Sequence, residues 1–211
     1  MICWTVWWSQ NLKLARKPFL LPMQVVDFAR SYLSAFTAQV SVVGRARSSH
    51  QVPWTPPPPG CIKVNFNGVV LDGGTALGLG IVVRDTRGIC LSWVSRRLAK
   101  RGSAEMAEAY AARESMRLAC CFNWCTVIVE GDCNSLIQKL SAPQQDLSEV
   151  GPLVLVIHSF IPLMSFVSFS FVRRSGNSVA DFLAKHTLNL EGNYAFLPPS
   201  LNTVMSGDLA T

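Results

Sequence analysis

The chain has no CxxC pair, only three histidines and only thirteen acidic residues among its 211. Each shortage removes a class of protein. Without paired CxxC spacing, the seven cysteines suggest neither a zinc module nor a disulfide framework, and they read as small buried hydrophobes in a reducing compartment. His50, His158 and His186 are too scattered for a histidine-rich metal site. The opening MICWTVWWSQNLKLARK lacks a basic start followed by an uninterrupted apolar run, so no secretory leader is expected. Charge is absent altogether from Val150 to Val172, but Pro152 and Pro162 with Ser165, Ser168 and Ser170 break that stretch, and a helix over 151–161 followed by a strand over 165–172 fits it better than a membrane span. The expected location is intracellular, nuclear or cytoplasmic.

What is present is enough apolar residue, 49%, to bury a full core, and an excess of nineteen Lys and Arg that gives a net charge of +6. A basic balance of this size favours polyanionic partners and also serves solubility. Between Val25 and Phe36, apolar residues recur at three- and four-residue spacing, which predicts a helix over 24–40, either docked on the main domain or left from a larger ancestor. Residues 44–60, GRARSSHQVPWTPPPPG, read as a stiff linker, with an SH3 or WW ligand as the alternative. The main domain is therefore expected over 61–190, between a helical segment at 1–43 and a tail at 191–211.

That domain starts with CIKVNFNG, where Ile62, Val64 and Phe66 alternate with Lys63, Asn65 and Asn67 as in a half-buried strand, and Gly68 allows a sharp exit. Strands are expected at 77–83 and 89–94, joined by the turn residues Arg84 to Gly88 into an antiparallel meander. Gly78 and Gly80 lie inside a strand pattern with no helix after them, which excludes a dinucleotide fingerprint. Ser103 to Cys121 is a helix with Ser103 as N-cap. On its wheel Glu108 sits among Ala104, Ala111, Ala112, Ser115 and Ala119, opposite Tyr110, Arg113 and Arg117. A carboxylate on a packed face needs a partner, which an arginine, a backbone N–H or a metal ion supplies. TVIVE at 126–130 reads as a buried strand, followed by Asp132, a ligand or an N-cap, and a helix over 134–140. Asp181 has capping-box spacing from Ser178, and a helix is expected from Phe182 to Leu190.

The resulting order, with Trp54 and the prolines before IKVNFNG, then GLGIVVRDTRG, AEMAEAYAARESMRLA, VIVEGD and VRRSGNSVADFLAK, resembles the ribonuclease H type 1 fold. More narrowly, it is similar to the reverse-transcriptase-like RNase H domains of plant retroelement-derived proteins, over residues 54–190. The resemblance implies an α/β fold whose mixed five-stranded sheet, a meander of three strands plus two more, is flanked by helices. It also implies an endonuclease of the RNA/DNA hybrid ribonuclease class, in which four carboxylates hold two Mg²⁺ ions. Glu108, Asp132 and Asp181 match the second, third and fourth of these acids, and Asn67 stands where the first is expected. An amide keeps one oxygen but no charge, so hydrolysis is expected to be impaired and Mg²⁺ binding weakened or partial. Phe171 and Ser175 replace the His and Glu that relatives often carry, while Arg174 and Asn177 are retained. The alternative is a catalytically dead binding module or a decayed retroelement fragment. Arg84, Arg87, Arg96, Arg97, Lys100, Arg101, Arg174 and Asn177 are the candidates for contact with a hybrid or duplex, with Trp93 interleaved; the plainer view of the run is a charged hairpin edge.

Overall fold

A computed structural model describes residues 53–142, 146–187 and 189–193. They lie in the second of two units of the chain, His50–Thr211. The helix expected over 24–40, the start of the linker and the tail beyond residue 193 fall outside the described residues.

Three long strands, β1 (Ile62–Leu71), β2 (Ala76–Arg84) and β3 (Cys90–Leu98), form the antiparallel meander. Helix α1 (Ala104–Cys121) follows, then β4 (Thr126–Gly131), α2 (Asn134–Ser141), α3 (Gly151–Phe160), β5 (Phe166–Phe171), α4 (Ser178–Lys185) and β6 (Leu190–Asn193). The sheet order is β5-β4-β1-β2-β3-β6, with β4 parallel to both β1 and β5. The five-stranded mixed sheet is as expected, and a sixth strand extends it. The helix expected to reach Leu190 stops at Lys185, and Leu190–Asn193 turns back to pair with Ser92 to Ser95 of β3. That strand is only four residues long, too short for a periodic pattern to announce it.

Strand alternation sorts the meander onto two faces. Val64 and Phe66 pair with Val83 and Ile81 and belong to the core with α1, whose Ala111, Ala112, Met116 and Ala119 are fully buried. Lys63, Asn65 and Asn67 lie on the opposite face, beside Arg84, Val82 and Gly80, and α4 covers part of that face. A Cβ on Gly80 would sit 2.0 Å from the Ala180 carbonyl oxygen, and one on Gly78 2.1 Å from that of Ala184. These glycines let α4 lie directly on the strand backbone.

Gly68 works in the same way on the other face, which corrects its expected role. The strand does not exit there but continues to Leu71, and a Cβ on Gly68 would meet the Ala107 carbonyl carbon at 2.1 Å. The actual turn is at Asp72–Gly74, where Gly73 and Gly74 take φ of 64° and 97°. The charge-free stretch after Val150 is α3, a short turn and β5, and no described helix is long and apolar enough to cross a membrane.

The end of the presumed linker is part of the fold. Trp54 is buried, its indole N–H donates to Asn65 Oδ1 at 2.9 Å, and the Arg84 guanidinium lies 3.8 Å over its ring. Lys63 Nζ donates to the Thr55 carbonyl at 2.7 Å and pairs with Glu130 Oε1 at 2.9 Å. Asn65 Nδ2 completes the network by donating to Glu130 Oε2 at 3.2 Å. Four polar side chains, Lys63, Asn65, Arg84 and Glu130, are thus held under a tryptophan strap, and the first two of them are ones that the binary pattern places at a solvated face.

Candidate functional site

Asn67, Glu108, Asp132 and Asp181 come from four different elements, and the fold brings them to one end of the sheet. Asn67 is on β1, Glu108 in the second turn of α1, Asp132 just after β4 and Asp181 in the first turn of α4. The glycine beside Asn67 brings α1 down onto β1, and the Gly68 N–H donates to the Glu108 carboxylate. Gly80, the cross-strand neighbour of Asn67, brings α4 down on the other face. The Asn67 amide Nδ2 then donates to Asp181 Oδ1 at 3.3 Å.

Each acid has distinct partners. Asp181 Oδ2 accepts from Lys185 Nζ at 2.5 Å, one helical turn away. Asp132 Oδ2 accepts from Arg174 Nε at 3.2 Å, and its Oδ1 from Asn177 Nδ2 at 3.3 Å. Asn177 Nδ2 also donates to the Phe66 carbonyl at 2.8 Å, so this one amide ties β1 to Asp132. Asp132 does not cap α2, whose N-cap position is Cys133. Nor does Asp181 close a capping box, because α4 begins at Ser178 with Asn177 in the cap position.

Glu108 is the least solvated of the three. Its Oε2 is buried without a hydrogen-bond partner. Burial above all, with Asp132 and then Asp181 as like charges, pushes its carboxyl up to about 9, against the opposing effects of the Gly68 N–H and Arg174.

These groups do not fit a two-ion cage. Among the described residues no three His, Cys, Asp or Glu side chains converge closely enough to hold a metal ion. The first position presents an N–H to Asp181, and the two aspartates are already paired with Arg174 and Lys185. Glu108 Oε2 is the one buried oxygen of the set left over, and Mg²⁺ asks for near-octahedral oxygen ligation.

The basic candidates scatter. Strand β3 extends beyond its expected end to Leu98, so Arg96 and Arg97 alternate to opposite faces. Arg96 meets Glu114 of α1 at 2.8 Å, and Arg97 pairs with Asp72 on the α4 side. Arg84 is fully buried against Trp54 and Asn65 Oδ1, so it cannot reach a phosphate. Asn177 and Trp93 are buried as well, which removes both from direct contact with a ligand. Arg87, Lys100 and Arg101 remain exposed near the ends of β3, Lys100 beside the Tyr110 hydroxyl and ring. Arg174 keeps 82% of its side chain in solvent. Phe171, in the place of the expected histidine, ends β5 and is half exposed. Ser175 lies in the turn that delivers Arg174 and Asn177.

Two residues of this region were not singled out beforehand. Lys185 is four residues from Asp181, a helical ion-pair spacing visible in the sequence. Glu114 is buried on α1 and accepts from Arg117 Nη2 at 2.6 Å as well as from Arg96. A wheel centred on Glu108 gives it no special place.

Residues 65–187 match the family described as reverse transcriptase-like. The chain belongs to this family. Solved structures agree on the fold. An RNase H1 from the halophilic archaeon Halobacterium salinarum is 18% identical, with a TM-score of 0.57 over 61% of this chain and 98% of its own. A compost-derived LC11-RNase H1, solved in complex with an RNA/DNA hybrid, is 17% identical, with a TM-score of 0.53 over 61% of this chain and 96% of its own. The foamy viral protease-reverse transcriptase, also in complex with a hybrid, is 14% identical, with a TM-score of 0.50 over 69% of this chain and 22% of its own. No curated protein matches the sequence. This reverse transcriptase-like chain therefore has the RNase H fold.

Proposed function

We propose that this RNase H-like domain binds RNA/DNA hybrid or duplex through the phosphate backbone and that its phosphodiester hydrolysis is impaired at the first acid position. The observation that carries the reading is the hydrogen bond from Asn67 Nδ2 to Asp181 Oδ1. A carboxylate at Asn67 would face Asp181 as a like charge and demand a cation between them; the amide replaces that demand with a neutral contact. Loss of one acid ligand lowers transition-state stabilisation by about 4 kcal/mol, or roughly a thousandfold in rate.

Binding itself asks only for exposed cations and for shape. Arg174 stands at the acid cluster, while Arg87, Lys100 and Arg101 extend the basic surface elsewhere on the domain. Two relatives of the same fold were solved on hybrids, which supports the same ligand class here.

The test is a hybrid-cleavage assay of the chain and of Asn67→Asp, in Mg²⁺ and in Mn²⁺, beside a binding titration at several salt concentrations. Cleavage by the unmodified chain at a rate matching that of Asn67→Asp would refute the impairment. No affinity for hybrid at low salt, or an affinity unchanged in the double variant Lys100→Ala and Arg101→Ala, would refute the binding surface.

A further inference from the structure

We infer that the acid cluster is balanced by the chain's own side chains, and that it meets a nucleic-acid phosphate through Arg174 without divalent ions. This rests on the binding function proposed above and specifies how that binding works.

The balance is visible group by group. Asp181 has one oxygen on the Lys185 ammonium and the other on the Asn67 amide. Asp132 has one oxygen on the Arg174 guanidinium and the other on the Asn177 amide. Glu108 takes the Gly68 N–H. Two cations and three neutral N–H donors thus occupy five of the six carboxyl oxygens, and Glu108 Oε2 alone is left without a partner.

The orientation of the Asn67 amide follows from its neighbour. Turned over, its carbonyl oxygen would face Asp181 Oδ1 at the same 3.3 Å, setting two acceptors against each other. The N–H therefore points at the carboxylate, and a divalent ion seeking oxygen would meet a donor. Arg174 and Lys185 would have to be displaced as well.

Neither cation is used up by its acid. Arg174 commits Nε to Asp132, yet the guanidinium carries five N–H donors and its side chain is 82% exposed, so its remaining edge is free to take a phosphate oxygen. Lys185, 52% exposed, has further donors beyond the one on Asp181. The position that the resemblance assigned to metal-bound phosphate becomes a place where an arginine holds an acid of the protein on one side and an anion of the ligand on the other.

The experiment uses the full chain and separates metal from nucleic acid. Calorimetric titration with Mn²⁺ should show no saturable binding, and the thermal midpoint should be the same in Mg²⁺ and in EDTA. Hybrid affinity, measured at fixed ionic strength, should also be the same in both. Arg174→Ala should weaken that affinity in EDTA by about tenfold, the equivalent of one charge-assisted contact, and Arg174→Lys should recover part of it. Asn67→Asp should gain a Mg²⁺-dependent rise in thermal midpoint that the unmodified chain lacks. Saturable Mn²⁺ binding by the unmodified chain that disappears in Glu108→Gln would overturn the inference, as would hybrid affinity that requires Mg²⁺. Absence of hybrid binding in both buffers would sink the proposed function and the phosphate contact with it, while the Mn²⁺ titration would still decide the charge balance by itself.

Discussion

Asn177 joins the Phe66 carbonyl of β1 to Asp132 Oδ1 beyond β4 with a single amide group, at 2.8 and 3.3 Å. It was a candidate ligand contact by sequence, but it is fully buried and acts on the ligand face only by holding Asp132 in place. Asn177→Ala should cost about 2–3 kcal/mol in urea unfolding, because a buried carbonyl loses its donor and an acid loses one of its two partners. Asn177→Asp should be worse at neutral pH than at pH 4, since it sets a second carboxylate against Asp132. Equal loss at both pH values would refute the contact with Asp132.

Two acids of α1 should give the fold opposite pH dependences. Glu108 is raised from 4.5 to about 9, so its protonated form belongs to the folded state. Its contribution is complete below pH 4.5 and declines as pH rises toward 9, because the unfolded chain ionises first. Glu114 is lowered from 4.5: burial opposes its ionisation, but the hydrogen bond from Arg117 and the charges of Arg96, Arg117 and Arg113 prevail. Its contribution is present above pH 4.5 and is lost as pH falls through the depressed value. Glu108→Gln should therefore stabilise the domain at pH 8, by roughly 2–4 kcal/mol, and flatten the alkaline limb of a plot of denaturation midpoint against pH. Glu114→Gln should destabilise it at pH 7 by about 3 kcal/mol, with the deficit shrinking toward pH 3. A Glu108→Gln chain with an unchanged alkaline limb would show that the buried carboxyl is ionised.

The close approaches at Gly68 and Gly80 predict a steep response to a single methyl. Each substitution to Ala drives a Cβ into helix backbone at 2.1 and 2.0 Å, where no rotamer change can relieve it. Gly68→Ala should lose about 3 kcal/mol or more, and Gly80→Ala a comparable amount. Gly60→Ala, with open space around its Cβ position but φ of +82°, should lose less, about 1 kcal/mol. Chemical denaturation of the three variants ranks them; a Gly60 variant as damaged as Gly68→Ala would refute the account.

The meander and the α1 boundaries with the Ser103 cap were legible, because each leaves a periodic or capping signature: Ser103 does accept from the Met106 N–H at 3.2 Å. Asn67, Glu108, Asp132 and Asp181 leave no such signature as a group, and only the family resemblance names them together. What stayed hidden was long-range and polar. Arg84, Lys63 and Asn65 look solvent-facing by alternation, and only the return of Trp54 over them makes their face an interior. The run from Arg84 to Arg101 reads as one basic stripe if β3 ends at Val94; because the strand continues to Leu98, period two sends Arg96 and Arg97 to opposite faces and divides the run. Gly68 reads as a turn residue in the sequence because a missing Cβ serves both a turn and a close approach, and sequence does not distinguish them.

Trp54 also tests where the cooperative unit begins. Trp54→Ala should lose about 3–5 kcal/mol, more than its ring area alone, because Asn65 Oδ1 loses a donor and Arg84 its stacking surface. Trp54→Phe, which keeps the ring and deletes the N–H, should recover most of that. If both variants melt like the unmodified chain, the strap is an ornament of the fold.

The composition of 44–60 sets a boundary at Gly60, where the prolines stop, but packing sets another. The carbonyl of Thr55 receives the Lys63 ammonium, and Pro57 is buried. A fragment trimmed to begin at Cys61 would thus uncover Lys63, Asn65, Arg84 and Glu130 together, on the three neighbouring strands β1, β2 and β4 in the middle of the sheet, the first of which also carries Asn67. Expression of the domain for any of these measurements should start upstream of Pro53, because the proline-rich stretch is the lid of a polar interior.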